Sequence, residues 1–251
     1  MYLPRLAHRA EVFALMFASG VASIADAGFL GVSATNYQVV DGARRFSVID
    51  VFADCSGQYD KLVNFYGNAG STSLVRSSLN GVLDGIDFAQ ASGSSWMPSS
   101  GSGGFDWDSF VTIGARSQSD ASSVVASDPY FLNATVGGAG TVSGGSNAQG
   151  AFVGAGWFTG APTGSHVFAG NYADKRIMLG RFAIETTGLS AADVVSLRYK
   201  GNLSMRVNGT SAGAGTILQT AVDQTFTYGF VPTPGAGLAL VAAGLLTRRR
   251  R

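Results

Sequence analysis

Four aspartates set in two short pairs are the side chains of this chain best suited to chemistry. Asp106 and Asp108 flank Trp107 in Gly104-Phe105-Asp106-Trp107-Asp108-Ser109-Phe110, and in an extended segment residues two apart project to the same side. Asp84 and Asp87 are similarly close in Leu83-Asp84-Gly85-Ile86-Asp87. Two carboxylates can hydrolyse a glycosidic bond when their separation and environments split them into an acid and a base. Their oxygens can equally ligate a hard cation such as calcium, although neither segment carries the Asp-x-Asp-x-Asp-Gly spacing of a dedicated calcium loop. They can also accept backbone N–H groups in turns. The Gly- and Ser-rich surroundings predict exposure, which keeps a carboxylate ionised and makes it a poor general acid. No catalytic residue and no metal ligand set is assigned from these pairs.

Other reactive groups are scarce. His166, in Pro162-Thr163-Gly164-Ser165-His166, is the one histidine beyond the first 27 residues. It is expected in a surface loop, and no nucleophile elbow is assigned to partner it. A transition-metal site draws on several His and Cys ligands, and this chain offers one of each here. Cys55 is the only cysteine, so no intramolecular disulfide forms, and it reads as a small buried apolar side chain. No cofactor is implied. Trp96, Trp107 and Trp157 lie in segments that contain Gly or Ser and are the candidate glycan contacts, since an indole face stacks on the apolar face of a sugar ring. Their competing use is to plug the ends of a sheet core, where they bury area and find a hydrogen-bond partner.

The elements that must hold these groups read as strands. Gly, Ser, Thr, Val and Phe are abundant while helix-favouring Glu and Lys are few, which favours strands joined by turns. Arg45–Ala53 carries large apolar groups on both faces and is expected to be a central strand covered on both sides. Further strands are expected at Lys61–Gly67, Ser73–Arg76, Ile86–Ala89, Ser109–Ala115, Ala151–Phe158, Arg176–Glu185, Ile217–Val222 and Thr225–Phe230. Val194–Lys200 and Leu203–Asn208 are expected to form a hairpin across Gly201-Asn202, because both residues tolerate positive φ. Leu189–Asp193 is expected to form one helical turn capped by Ser190. The stretches 92–104 and 136–150 read as peripheral loops. About ten short strands with turns between them predict an all-β fold, a single β-sandwich.

The two ends differ from this body. Arg5 and Arg9 precede an apolar run, Val12–Ile24, and Ala25-Asp26-Ala27 is a small-x-small site. That is the pattern of a secretory signal peptide cut by signal peptidase before Gly28. At the other end Val231-Pro232-Thr233-Pro234 leads into an apolar run from Gly235 to Thr247 and then Arg248, Arg249, Arg250 and Arg251. Arginine is costly in hydrocarbon, so this block acts as a stop-transfer charge. The apolar run is shorter than the roughly 20 residues of a full helical span and predicts transient membrane association. Setting the signals aside leaves 11 Lys and Arg against 14 acids, a net charge of −3. With no basic patch to neutralise phosphates, nucleic-acid binding is disfavoured.

This tail resembles the PEP-CTERM sorting signal, with Val231, Pro232 and Pro234 at the motif and Thr233 where that family usually has Glu. The resemblance implies an exosortase-type membrane processing enzyme as partner. The body, through Arg45–Gly67, Trp96-Met97-Pro98, Asp108–Gly114, Gly154–Phe158 and Leu179–Phe182, looks like the ectodomain of exported PEP-CTERM proteins. It is loosely similar to jelly-roll, cohesin-like and carbohydrate-binding-module sandwiches. The expected organisation is a signal peptide at 1–27, a β-sandwich ectodomain at 28–230 and a sorting tail at 231–251, with a helix in each terminal segment. The expected function is that of an exported bacterial protein. It is held briefly at the inner membrane, then processed for the cell surface or an extracellular matrix, and it is non-catalytic. The alternatives are a polysaccharide-binding module and an Asp-dependent glycan hydrolase.

Overall fold

A computed structural model describes residues 28–67, 73–83, 85–90, 105–116, 125–127, 141–143, 156–160, 162–207, 209 and 215–229. The strands are β1 (Phe29–Asp41), β2 (Arg44–Cys55), β3 (Lys61–Tyr66), β4 (Ser73–Leu79), β5 (Val82–Leu83) and β6 (Phe110–Val111). They continue with β7 (Val125–Ser127), β8 (Thr141–Ser143), β9 (Gly156–Thr159), β10 (Arg176–Glu185), β11 (Val195–Val207) and β12 (Thr216–Thr227). Two short 3-10 turns, Ser165–Val167 and Ala169–Asn171, are the helical elements among the described residues.

The protein is all-β and has two sheets. One is ordered β1-β2-β10-β6; the other is ordered β5-β4-β11-β3-β9-β7, with β12 also on β11 and β8 on β4. Every pairing between these strands is antiparallel. The main core lies between the sheets. Ile49, Val51, Ile177, Phe182 and Ile184 come from the first, and Leu62, Phe65, Leu197, Tyr199, Leu203 and Met205 from the second. Phe182 and Tyr199 meet across the gap with ring centroids 6.0 Å apart.

Strand β2 lies between β1 and β10, as its two apolar faces predict. Ile49, Val51 and Ala53 enter the main core, while Phe46, Val48 and Phe52 are buried on the opposite face in two smaller clusters. Strand β1 is not expected from pattern, and its pairing shows why. Val32 and Ala34 pack on the main core, but further along the apolar residues Tyr37 and Val39 pack on the other face. The apolar phase switches within one strand, which erases the period-2 signature. The inward positions vacated by apolar groups hold Asn36 and Gln38, which donate to the carbonyls of Thr227 and Gly229 at 3.3 and 2.6 Å.

Several boundaries are corrected. Val194–Asn208 is no hairpin: β11 runs unbroken through Gly201 and Asn202 and pairs with β12 from Ser196↔Thr227 to Val207↔Thr216. A turn there would set Tyr199 opposite Ser204 and Leu197 opposite Arg206. In one continuous strand, Val195, Leu197, Tyr199, Leu203, Met205 and Val207 all face the core. Gly201 is present for close approach, because a Cβ would come within 2.5 Å of the Phe65 ring. Two-residue hairpins occur instead at Gly42-Ala43 and at Asn80-Gly81, where φ is +51° and +82°.

Ile86–Ala89 forms no ladder; Ala89 N–H donates to Ala183 O at 2.8 Å from an irregular path. The two strands expected over Ile217–Phe230 are one, β12, and Ser109–Ala115 holds only the short β6. Part of the stretch read as a peripheral loop at 136–150 forms β8. The helical turn expected over Leu189–Asp193 is instead a single non-helical turn, closed by Asp193 N–H donating to Ser190 O at 3.1 Å, with the Ser190 hydroxyl accepting from Ala192 N–H at 3.3 Å. The expected terminal helices lie outside the described residues. Among the described residues no helix is long and apolar enough to cross a membrane.

Candidate functional site

The Asp106–Asp108 pair does not assemble. Phe105–Asp108 is a tight turn, closed by Asp108 N–H donating to Phe105 O at 3.1 Å. A turn breaks the period of two, so Asp106 is exposed whereas Asp108 is fully buried. The expectation that both project to one side in exposed surroundings is corrected for this pair. Asp87 is exposed, and Asp84 lies outside the described residues.

The same turn decides the role of Trp107. Its ring lies on the outward face of β2, parallel to Phe46 with centroids 4.5 Å apart and 5° between planes. Phe105 stacks on it at 5.1 Å, and the Arg44 guanidinium sits 5.0 Å from its centre. Its indole N–H donates to Asp41 Oδ2 at 3.0 Å. Trp157, on β9, is fully buried against Phe65 and donates to Thr112 O at 3.0 Å. Burial removes both rings from the candidate glycan contacts, because a sugar needs an open ring face. Trp96 lies outside the described residues.

His166 is corrected from surface loop to interior. It sits in the 3-10 turn Ser165–Val167, buried, with Nε2 3.3 Å from Thr159 Oγ1. The Tyr172 hydroxyl reaches the carbonyls of Gly114 and His166, at 2.6 and 2.9 Å, and holds the segment down. Cys55 is buried as expected, and burial, reinforced by Asp60 and Asp54, pushes its thiol far up from the ordinary range. Contrary to the expectation that the chain lacks Gly-x-Ser-x-Gly, the pattern occurs once, at Gly209-Thr210-Ser211-Ala212-Gly213. A nucleophile elbow joins a strand to a helix, whereas this segment links β11 to its antiparallel neighbour β12.

Two arrangements emerge that sequence reasoning missed. The first is an ion pair on the outward face of the four-stranded sheet. Register sets Arg181 opposite Asp50 on β10 and β2, and the guanidinium makes two bonds to the carboxylate, at 2.8 and 3.0 Å. Tyr37 completes it, its hydroxyl 3.4 Å from Asp50 Oδ2. Burial, then the Asp50 charge, raises the Tyr37 phenol well above its usual range. Bidentate geometry among partly buried groups makes this a structural clamp.

The second is a shallow depression of about 250 Å³ lined by Gln58, Tyr59, Phe168, Gly170 and Asn171. It joins the β2–β3 connection to the two 3-10 turns. Ala169 N–H donates to Asp60 O and Gly170 N–H to Gln58 O, both at 2.9 Å. No family model, curated protein or solved structure matches this chain. The depression therefore has to be interpreted from its own chemistry: two primary amides, a phenol, a phenyl ring and main chain. A signal for it was present in Gly57-Gln58-Tyr59-Asp60, but the partner segment is about 110 residues away in sequence, and only the folded chain brings the two together.

Proposed function

We propose that this is an exported, non-catalytic protein of the bacterial cell surface or extracellular matrix, sorted through its C-terminal segment. One observation carries the reading: a signal-peptide pattern ending at Ala25-Asp26-Ala27 and a stop-transfer pattern ending at Arg248–Arg251 bracket one two-sheet body. Strand β1 begins at Phe29, immediately after the expected cut, and Gly28 N–H is already bonded to Ser56 Oγ at 2.7 Å. A cut before Gly28 leaves the first strand whole. The Val231–Pro234 motif follows closely on Gly229, whose carbonyl accepts from Gln38 and Ser47. An exosortase-type enzyme is the partner this reading calls for. The finer likeness of the body to a jelly-roll, cohesin-like or carbohydrate-binding-module sandwich belongs to the same proposal.

The non-catalytic part rests on where the reactive groups go. Asp108 and His166 are buried, Asp106 is exposed, and the Cys55 thiol is held protonated. The measurement that tests the reading is the intact mass, with N-terminal sequencing, of the protein recovered from the cell surface. A species that starts at Gly28 and lacks the Arg248–Arg251 block is expected. Recovery of the full precursor from the cytoplasm would overturn the proposal. So would hydrolysis of a polysaccharide that disappears in a single Asp→Asn variant at position 84, 87, 106 or 108.

A further inference from the structure

We propose that the depression between the β2–β3 connection and the 3-10 turns binds one ring of a neutral sugar. Tyr59 would serve as the stacking platform, with Gln58 and Asn171 as the hydrogen-bonding amides. Three observations carry it. First, Tyr59 is 40% exposed although it is a large aromatic, and its hydroxyl makes no hydrogen bond among the described residues. Tyr59 is thus both exposed and part of the lining, which neither buried Trp107 nor buried Trp157 offers. Phe168 lines the same depression, with the Lys61 ammonium 5.1 Å from its ring centre.

Second, the polar ends at the rim are neutral and matched to hydroxyls. The Asn171 side-chain N–H donates to Ser165 O at 2.6 Å, which orients the amide and leaves its Oδ1 as an open acceptor. Gln58 is exposed and adds a donor and an acceptor. Among the described residues no charged side chain lines the depression. Lys61 lies over the Phe168 ring and is not part of the lining, so the lining itself suits a pyranose, with one apolar face and a rim of hydroxyls, better than an ion. The volume, about 250 Å³, is below the roughly 300–1,000 Å³ of pockets that enclose a drug-sized ligand. A single ring resting on an open surface fits it better than an engulfed molecule.

Third, the walls are set before any ligand arrives. A Cβ at Gly170 would lie 2.5 Å from the Gln58 carbonyl, so glycine is what lets the two segments touch. The turn below Gln58 is fastened by Gly57 N–H donating to the buried Asp60 carboxylate at 2.7 Å. Tyr172 fastens the other wall to Gly114. Loops held this way lose little freedom on binding, the condition under which a small contact gives measurable affinity.

The test uses the full-length chain in a mild detergent, titrated by ligand-observed NMR and calorimetry. The neutral hexasaccharides of cellulose, laminarin, mannan and dextran serve as probes, and polygalacturonate is the charged comparator. At least one neutral probe is expected to bind in the high-micromolar to millimolar range, with no loss between low and high salt. Tyr59→Ala and Asn171→Ala should each weaken it at least tenfold while leaving the melting temperature unchanged, since both side chains are exposed. Tyr59→Phe should retain most of the affinity, because the ring face remains. Absence of binding to all four neutral probes overturns the proposal. So does binding that survives both alanine variants, or binding to polygalacturonate alone that salt removes, which would point to Lys61 in place of the amides. None of these outcomes bears on export or sorting, which the surface mass measurement tests separately.

Discussion

Asp50 and Arg181 show how one pair of side chains can matter more than the four aspartates that spacing singles out. The carboxylate and guanidinium are both mostly withdrawn from water, with side-chain exposures of 13% and 14%. Removing one partner strands the other, a change that costs about 3–5 kcal/mol in fully buried pairs. Arg181→Leu is therefore expected to destabilise the protein by about 2–4 kcal/mol, a little below that range because some water reaches the pair. The double variant Asp50→Leu with Arg181→Met should recover more than half of the loss, since two apolar groups need no counter-charge. Urea denaturation of the single and double variants checks both statements. Equal destabilisation in the two would show that the strands depend on the charges themselves.

Strand β11 shows how a local signal loses to packing. Gly201-Asn202 has hairpin composition, yet the apolar alternation on either side of it stays in phase, and burying that face outweighs the preference of two residues for a turn. Gly201→Ala is expected to cost about 1–3 kcal/mol by forcing a methyl into the Phe65 ring. That ring is itself packed on Trp157 and Tyr199. Gly81→Ala acts differently. Nothing lies near its Cβ, and the cost, about 1–2 kcal/mol, comes from the positive φ alone. Placing Leu at Phe65 should relieve part of the Gly201→Ala defect, the Tyr66 carbonyl at 2.8 Å remaining in the way, and leave Gly81→Ala unchanged in thermal melts, which separates a steric defect from a backbone one. The Asn80-Gly81 signal was legible, in the favoured Asn-Gly order, and succeeds because Leu79 and Val82 pair directly across it.

Across the molecule, ion pairs tie neighbouring strands while phenols lie in the interior, and the two give stability an acid and an alkaline limit. The Arg44 hydrogen bond holds Glu185 below its ordinary value of 4.5, and Arg198 holds Asp223 below 3.8. A depressed carboxylate contributes stability above its unfolded pKa and loses it as the pH falls through the folded one. Burial keeps Tyr199 and Tyr228 well above 10.0. A raised phenol contributes below its unfolded pKa and loses that as the pH rises. The melting temperature is thus expected to be level near neutrality, to fall below about pH 4 and to fall again above about pH 10. Added salt should shrink the acid step, because those pairs are exposed, and leave the alkaline step in place. A melting temperature that is flat through pH 10–12 would remove the phenols from this account.

Composition and alternation alone were enough to predict an all-β protein with a central strand over Arg45–Ala53. Those properties are local: turn residues and period-2 patterns act within a few positions of themselves. The same information led to wrong expectations for Asp108 and His166, both of which are buried, while Trp107 took the buried, hydrogen-bonded role set beside the glycan contact. Gly- and Ser-rich neighbours describe how a segment bends and carry no record of what it lies against. Ser109 N–H on Ala89 O and Trp107 on Phe46 are contacts between segments far apart in the chain. The Tyr59 depression likewise exists because Gly170 allows two distant loops to touch. Burial, ion pairing across strands and the shape of a binding surface are properties of such long-range contacts, so they arose only when the sheets closed on one another.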